Sequence, residues 1–200
     1  MAKATFQRPK GTADLLPEQT AQWQYVENLA RVLFGDYNPA GRLPVSVPRS
    51  EGQIPVYYNK KAPQSHDYVE MSASPLYPFG YGLSYTSFDY SDLHLSALMP
   101  RSFEISFKVR NTGKYDGEEV PQLYLRDEYA SVVQPLKQLK HFARFYLKRG
   151  EEREVKFILS EEDFSLVDRN LKRIVEPGTF QIMIGAASDD IRLQTKVAIK

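Results

Sequence analysis

Carboxylates stand beside aromatic rings at several points in this 200-residue chain, Asp36-Tyr37 and Asp67-Tyr68 among them. A ring face can cover the C–H surface of a sugar while a neighbouring carboxylate accepts its hydroxyl hydrogens, so such pairs are raw material for a sugar platform. Retaining glycoside hydrolysis asks for more, namely two carboxyl groups about 5 to 5.5 Å apart. Nothing in the spacing of these acids specifies such a pair, so ordinary packing and solvation are the expected roles of Asp36 and Asp67. His66, His94 and His141 are far apart and lack the short spacings of a metal cluster, which leaves surface or structural roles. The chain has no cysteine, hence no disulfide framework, thiolate zinc site or cysteine nucleophile. No G-x-S-x-G elbow, P-loop or dinucleotide fingerprint appears. The sequence therefore assigns no catalytic, cofactor-binding or metal-binding residue.

Charge narrows the partners. Lys137, Lys140, His141, Arg144, Lys148, Arg149 and Arg153 form a basic cluster, but Glu151, Glu152 and Glu154 interrupt it and strand alternation would spread it over two faces. A solvated face is the expected reading. The net charge of +1 supplies no field that would steer the chain toward nucleic acid or an anionic membrane. No window approaches the ~18 apolar residues of a membrane span, and the basic N-terminus has no apolar run behind it. As written, the chain is expected in the cytoplasm, with no nucleic-acid and no membrane partner.

The elements that would position any site are mostly strands. Phe103, Ile105, Phe107 and Val109 alternate with polar residues, which is the period of a strand with one buried face. Asn111-Thr112-Gly113 breaks it, and a second strand runs through Val120, Leu123, Tyr124 and Leu125, with Pro121 placing that strand near an edge or a bulge. Phe88 to Leu98 reads as a preceding strand and Asp127 to Lys140 as a longer excursion. Phe145 and Leu147, then Val155, Phe157 and Leu159, flank a Lys148-Arg149-Gly150 turn. Ser160 to Asp163 favours one capped helical turn. Phe164 to Val167, Leu171 to Val175, Phe180 to Ile184 and Ile191 to Ile199 complete seven or more short strands, the pattern of a β-sandwich.

Ahead of the strands lie a helix and an irregular segment. Pro17 suits a first helical position, Trp23, Val26, Ala30 and Leu33 recur at helical spacing, and Gly35 is the expected stop. Seven of the 13 prolines lie between Pro39 and Pro78, and seven of the 13 tyrosines between Tyr57 and Tyr90. That composition reads as an ordered wrapping segment or a stiff linker. Hydrophobic residues at 42% and charged residues at 26% allow a packed core, and 200 residues allow one domain with an attachment.

Several runs carry resemblances. Ser102 to Arg126, with its N-T-G break and E-V-x-x-L-Y-L strand, resembles the opening hairpin of the fibronectin type III-like module of family 3 glycoside hydrolases. Val32 to Asn59, containing L-F-G-D-Y-N-P-A-G-R-L-P, is similar to the last helix and exit segment of the sandwich domain in family 3 β-glucosidases and β-xylosidases. Pro75 to Thr86, P-L-Y-P-F-G-Y-G-L-S-Y-T, resembles the run that precedes the module in that family. Phe6 to Arg31 resembles instead the N-terminus of bacterial histidyl-tRNA synthetase, with its P-K-G-T-x-D-x-L-P element; the parts of that enzyme that bind ATP, histidine or tRNA lie beyond the resemblance. The chain so reads as a hybrid joined near Arg31 to Phe34.

The resemblances imply a mainly β chain, a fibronectin type III-like (immunoglobulin-like) β-sandwich preceded by one N-terminal helix and a Pro/Tyr-rich wrapping segment. The expected divisions are 1–35, a synthetase-like arm and helix; 36–86, an exit remnant of the sandwich domain; and 87–200, the fibronectin-like domain. Family 3 nucleophile and acid/base residues both precede the matched region, so the implied role is a non-catalytic accessory module, with a carbohydrate- or protein-binding module and a fragment that complements a separate catalytic half as alternatives. A glycoside hydrolase catalytic domain is the expected partner, with the Asp127 to Lys140 loop as the contact. Self-association through Val32, Leu33 and Phe34, which lack the sheet that this helix covers in the family, and carbohydrate binding through the tyrosines from Tyr57 to Tyr85 are further expectations. Relatives are often exported.

Overall fold

A computed structural model describes residues 17–61 and 70–200, and the side chains of α1 from residue 24 onward. Its backbone divides into two compact units, with the boundary between Pro39 and Ala40. The first holds one helix, α1 (Pro17–Leu33), which begins at a proline as the missing N–H of that residue allows. Gly35 ends it in the left-handed region at φ +80, its N–H donating to the Val32 carbonyl at 3.1 Å. Leu33 and Phe34 are 69% and 70% exposed.

The second unit is a two-sheet sandwich. One sheet has the order β1 (Phe88–Met99), β2 (Ser102–Asn111), β7 (Glu152–Leu159); β3 (Gly117–Glu119) pairs with β6 (Phe145–Leu147). The other sheet has the order β11 (Ile191–Ile199), β10 (Gly178–Gly185), β4 (Gln122–Asp127), β5 (Gln138–Phe142). All neighbours are antiparallel, and a two-strand ribbon, β8 (Leu166–Val167) with β9 (Arg173–Ile174), closes one corner. Alternation decides which side chains enter. Ile105, Phe107 and Val109 from β2, Val155, Phe157 and Leu159 from β7, Leu123 and Leu125 from β4, and Phe180, Ile182 and Ile184 from β10 form one buried cluster. Phe164, expected to open a strand, instead ends the helical turn Glu161–Phe164 and plugs the cluster edge to face against Phe180 at 5.0 Å. The Asp163 carboxylate accepts the Ser160 N–H at 2.8 Å, which caps that turn.

Two expectations need correction. The strands on either side of Asn111-Thr112-Gly113 are not a hairpin: β2 pairs with β1 and β7, whereas β4 pairs with β10 and β5 in the opposite sheet. Both carry an apolar row that faces the core, and two such rows bury more by facing each other across the sandwich than by lying side by side. β3, paired with β6, carries the chain across. Nor is β4 at an edge, since it lies between β10 and β5. Pro121 falls just before the ladder begins, so its missing N–H costs no rung, and the bulge half of the expectation holds in a register shift at Leu123/Tyr124 against β5.

Residues 40–61 and 70–86 are an ordered wrap rather than a linker. Leu43 and Gly80 exchange backbone bonds with Tyr81 and Leu43 at 2.8 Å, and Val47 bridges Tyr77. The buried Gln53 side chain donates to the Ala73 and Ser74 carbonyls at 3.0 Å and accepts the Arg49 N–H at 2.7 Å. The wrap explains why Gln122, Leu123, Tyr124 and Leu125 are buried in succession despite strand alternation. The outward Tyr124 ring meets Tyr58 at 6.0 Å, and Tyr58 stacks on Phe79 at 4.1 Å. Gln122 reaches out of the sheet to the Gly80 and Ala186 carbonyls at 3.2 and 2.7 Å.

Candidate functional site

Among the described residues, those with chemical promise in the sequence do not converge. Asp36 and Tyr37 are exposed beyond the end of α1, while His66, Asp67 and Tyr68 lie outside the described residues. His94 is exposed on β1, and His141 stacks on Phe157 with Nε2 3.4 Å from Asp163 Oδ2. No group of three or more metal-ligating side chains occurs among the described residues, nor does any helix there have the length and apolarity to cross a membrane. The basic cluster is dispersed, as alternation requires. Lys137 donates to the Ser188 carbonyl, Arg144 pairs with Glu118, and Arg153 lies over the Phe145 ring at 5.3 Å.

One polar network escaped the sequence reading. Glu119, at the end of β3, is 1% exposed and accepts Arg42 Nη2 at Oε2 and the Tyr90 hydroxyl at Oε1, both at 2.7 Å. Arg42 comes from the wrap and Tyr90 from β1, so one carboxylate ties three segments of chain together. Arg192 covers the Tyr90 ring from 4.8 Å and is itself held by Asp190. Burial, then the adjacent Glu119 charge, pushes the Tyr90 hydroxyl well above its usual range, so it stays protonated as a donor. Arg42 Nε, also buried, has no partner. With both oxygens engaged and no exposure, Glu119 holds the fold and cannot reach a substrate. The sequence gives little hint of it, since Glu119 is one of two adjacent acids in a short strand and its partner lies 77 positions away.

The expected Asp127 to Lys140 excursion is shorter than the sequence implied, since Gln138–Phe142 forms β5, and the loop before it carries exposed side chains. Tyr129 is 85% exposed and Val133 is exposed beside it. The loop is anchored from both sides: Ser131 donates through its N–H and hydroxyl to Glu176, and Leu136 N–H donates to the Lys60 carbonyl at 3.0 Å. Those hydrogen bonds hold the Glu176 carboxyl below its usual range. Beneath the loop a groove of 740 Å³ runs to the β8–β9 corner, lined by Val133, Gln138, Lys140, Asp163 and Val167 among others. This groove and the exposed loop are open to another molecule, whereas the Glu119 carboxylate, with both oxygens bonded, is not free to bind one.

Comparison with known proteins agrees with this architecture. Residues 21–85 match the glycosyl hydrolase family 3 C-terminal domain, and residues 119–188 match the fibronectin type III-like domain. A periplasmic β-glucosidase of Salmonella typhimurium is 45% identical over 178 residues, covering 82% of this chain and 23% of the relative. A β-xylosidase of Formosa agariphila is 44% identical over 173 residues, covering 82% and 24%. Among solved structures, a β-glucosidase from Listeria innocua in complex with laminaribiose superposes with a TM-score of 0.79 at 35% identity, over 86% of this chain and 26% of that one. The chain thus spans about a quarter of the length of these relatives. The family match opens at residue 21, inside the Phe6 to Arg31 stretch.

Proposed function

From a chain that joins part of a glycosyl hydrolase family 3 C-terminal domain to a fibronectin type III-like domain, we propose a non-catalytic accessory module that stabilises and positions a catalytic partner acting on β-glucosides or β-xylosides. The observation that carries this reading is the completeness of the second unit beside its likeness to one stretch of much longer glycosidases. Its core is closed, its wrap is hydrogen-bonded in place, and its buried carboxylate is spent on structure. The partner is a glycoside hydrolase catalytic domain, and the 127–140 loop is the contact. Purified chain incubated with aryl β-glucoside and aryl β-xyloside is expected to release no aryl group; turnover that persists through repurification overturns the reading.

Two further readings have observations in their favour. Tyr57, Tyr77 and Tyr85 are exposed, which favours carbohydrate or protein binding by the module alone. Leu33 and Phe34 are also exposed, which favours self-association, or complementation of a separate catalytic half, through the Val32 to Phe34 stretch. We further take residues 1–35 as a synthetase-like arm and helix, 36–86 as the exit remnant and 87–200 as the fibronectin-like domain. Sequencing genomic DNA and transcript across the codons for Arg31 to Asn38 tests the hybrid: an intact junction in both supports a natural fusion, and a junction missing from either refutes it.

A further inference from the structure

The groove beneath the 127–140 loop has an unusual balance of charge. Four of the charged side chains that line it are Glu162, Asp163, Lys140 and Arg173, and Lys61 stands exposed at its mouth. Two of the four are paired with each other, Arg173 Nη1 donating to Glu162 Oε1 at 2.6 Å. Asp163 is committed as well, accepting from the Ser160 N–H and hydroxyl at 2.8 and 3.1 Å and facing His141 Nε2 at 3.4 Å. That leaves Lys140 and Lys61, neither of which makes a hydrogen bond or an ion pair within 4 Å among the described residues. Lys140 is half-buried on β5, and the side-chain amides of Gln134 and Gln138, also without partners among the described residues, line the same groove.

A half-buried ammonium has surrendered part of its hydration and gains most from an anion that restores it. Amide N–H donors beside it favour an acceptor with two oxygens. Val133 and Val167, both exposed, add apolar surface to the lining. We propose that this groove is a binding site for a carboxylate carried on a short aliphatic or sugar framework, with Lys140 as the counter-charge, Gln134 and Gln138 as donors, and Lys61 at the entrance. The state of Lys140 agrees. Burial holds its pKa below the usual lysine value against the opposing pull of Asp163, while Arg173 lowers it further and Glu162 raises it. A bound carboxylate reverses the dominant effect, so ligand binding and protonation of Lys140 strengthen each other. The site does not depend on the accessory-module reading: the hydrolysis assay tests that reading and leaves this one untouched.

Two carboxylate sources separate in one experiment on the full chain. Capped Glu-Val-Glu peptide and glucuronate are titrated in turn, with glucose as the uncharged control, while calorimetry follows binding and NMR follows the lysine side-chain signals. Saturable binding of either carboxylate, with the Lys140 titration midpoint moving up and glucose inert, is the expected result, and the probe that binds identifies the source. Lys140→Met should lower affinity tenfold or more, as loss of a charge-assisted hydrogen bond of about 1.5 to 3 kcal/mol implies. Lys140→Arg should retain most of the binding, which separates charge from packing, and Lys108→Met, on a lysine paired with Asp92 on the other sheet, should change nothing. Failure of both carboxylates to saturate overturns the proposal, as does unchanged affinity in a folded Lys140→Met chain.

Discussion

Leu33 and Leu159 are the same side chain in opposite surroundings. Leu33 ends an amphipathic helix and is 69% exposed, whereas Leu159 ends an alternating strand and is 0% exposed. Each obeys its local pattern: α1 has helical periodicity and a glycine stop, and β7 alternates as a strand should. They differ in what the rest of the chain supplies. β7 lies beside β2 and packs with Leu123, Leu125 and Ile182 from the facing sheet, while α1 belongs to the other compact unit, Met1–Pro39. Periodicity selects the element, and only a partner buries its apolar face.

The comparison breaks most sharply at Phe107. Its ring is fully buried between Tyr90 and Phe157, and Phe107→Ala should cost about 3 to 5 kcal/mol in a urea titration. A loss below about 1 kcal/mol would mean that the two sheets do not pack as described. Next comes Glu119→Gln, which keeps the shape but leaves Arg42 without its counter-charge. Breaking a buried pair of this kind costs about 3 kcal/mol, and the tyrosine near-UV signal of the wrap should weaken with it. Unchanged stability would show that the wrap is held by its backbone bonds alone.

Leu33→Ser sharpens the contrast from the other side. In a monomer, with the side chain already exposed, stability should stay within about 0.5 kcal/mol. If wild type sediments as a dimer and the variant as a monomer, α1 has found its missing face in a second copy. The smallest effect belongs to the loop. Hydrogen bonds from Ser131 hold the Glu176 pKa below its unfolded value, so their stabilising contribution is present above the usual carboxylate range and disappears as pH falls through the folded pKa. Carboxyl NMR should show the Glu176 midpoint rising toward its ordinary value in Ser131→Ala; a midpoint that stays put would remove the Ser131 hydroxyl as a cause.

Much of the fold was legible because strand and turn signals are local. The row from Phe103 to Val109, the Lys148-Arg149-Gly150 turn, the capped turn at Ser160 and the stop at Gly35 all stand where their residue types indicate. The candidate groove was not legible. Lys140 read as one charge in a basic run, and what sets it apart from Arg144, four positions on, is that Glu118 pairs with Arg144 and, among the described residues, no acid lies within pairing distance of Lys140.

Alternation, capping and turn chemistry act over a few residues, so the sequence by itself determined where α1 stops, most of the strands, though not β5 at the end of the expected excursion, and which side chains in each alternating strand seek a core. Pairing energy, by contrast, depends on what arrives across space. Tertiary structure alone decided that β2 and β4 face each other instead of forming a hairpin, that Arg42 meets Glu119 across 77 positions, and that Tyr124 is covered on its outer side by Tyr58. Those outcomes follow from closing two apolar sheets and a proline-rich wrap around one core, where a buried charge or donor left without a partner is costly.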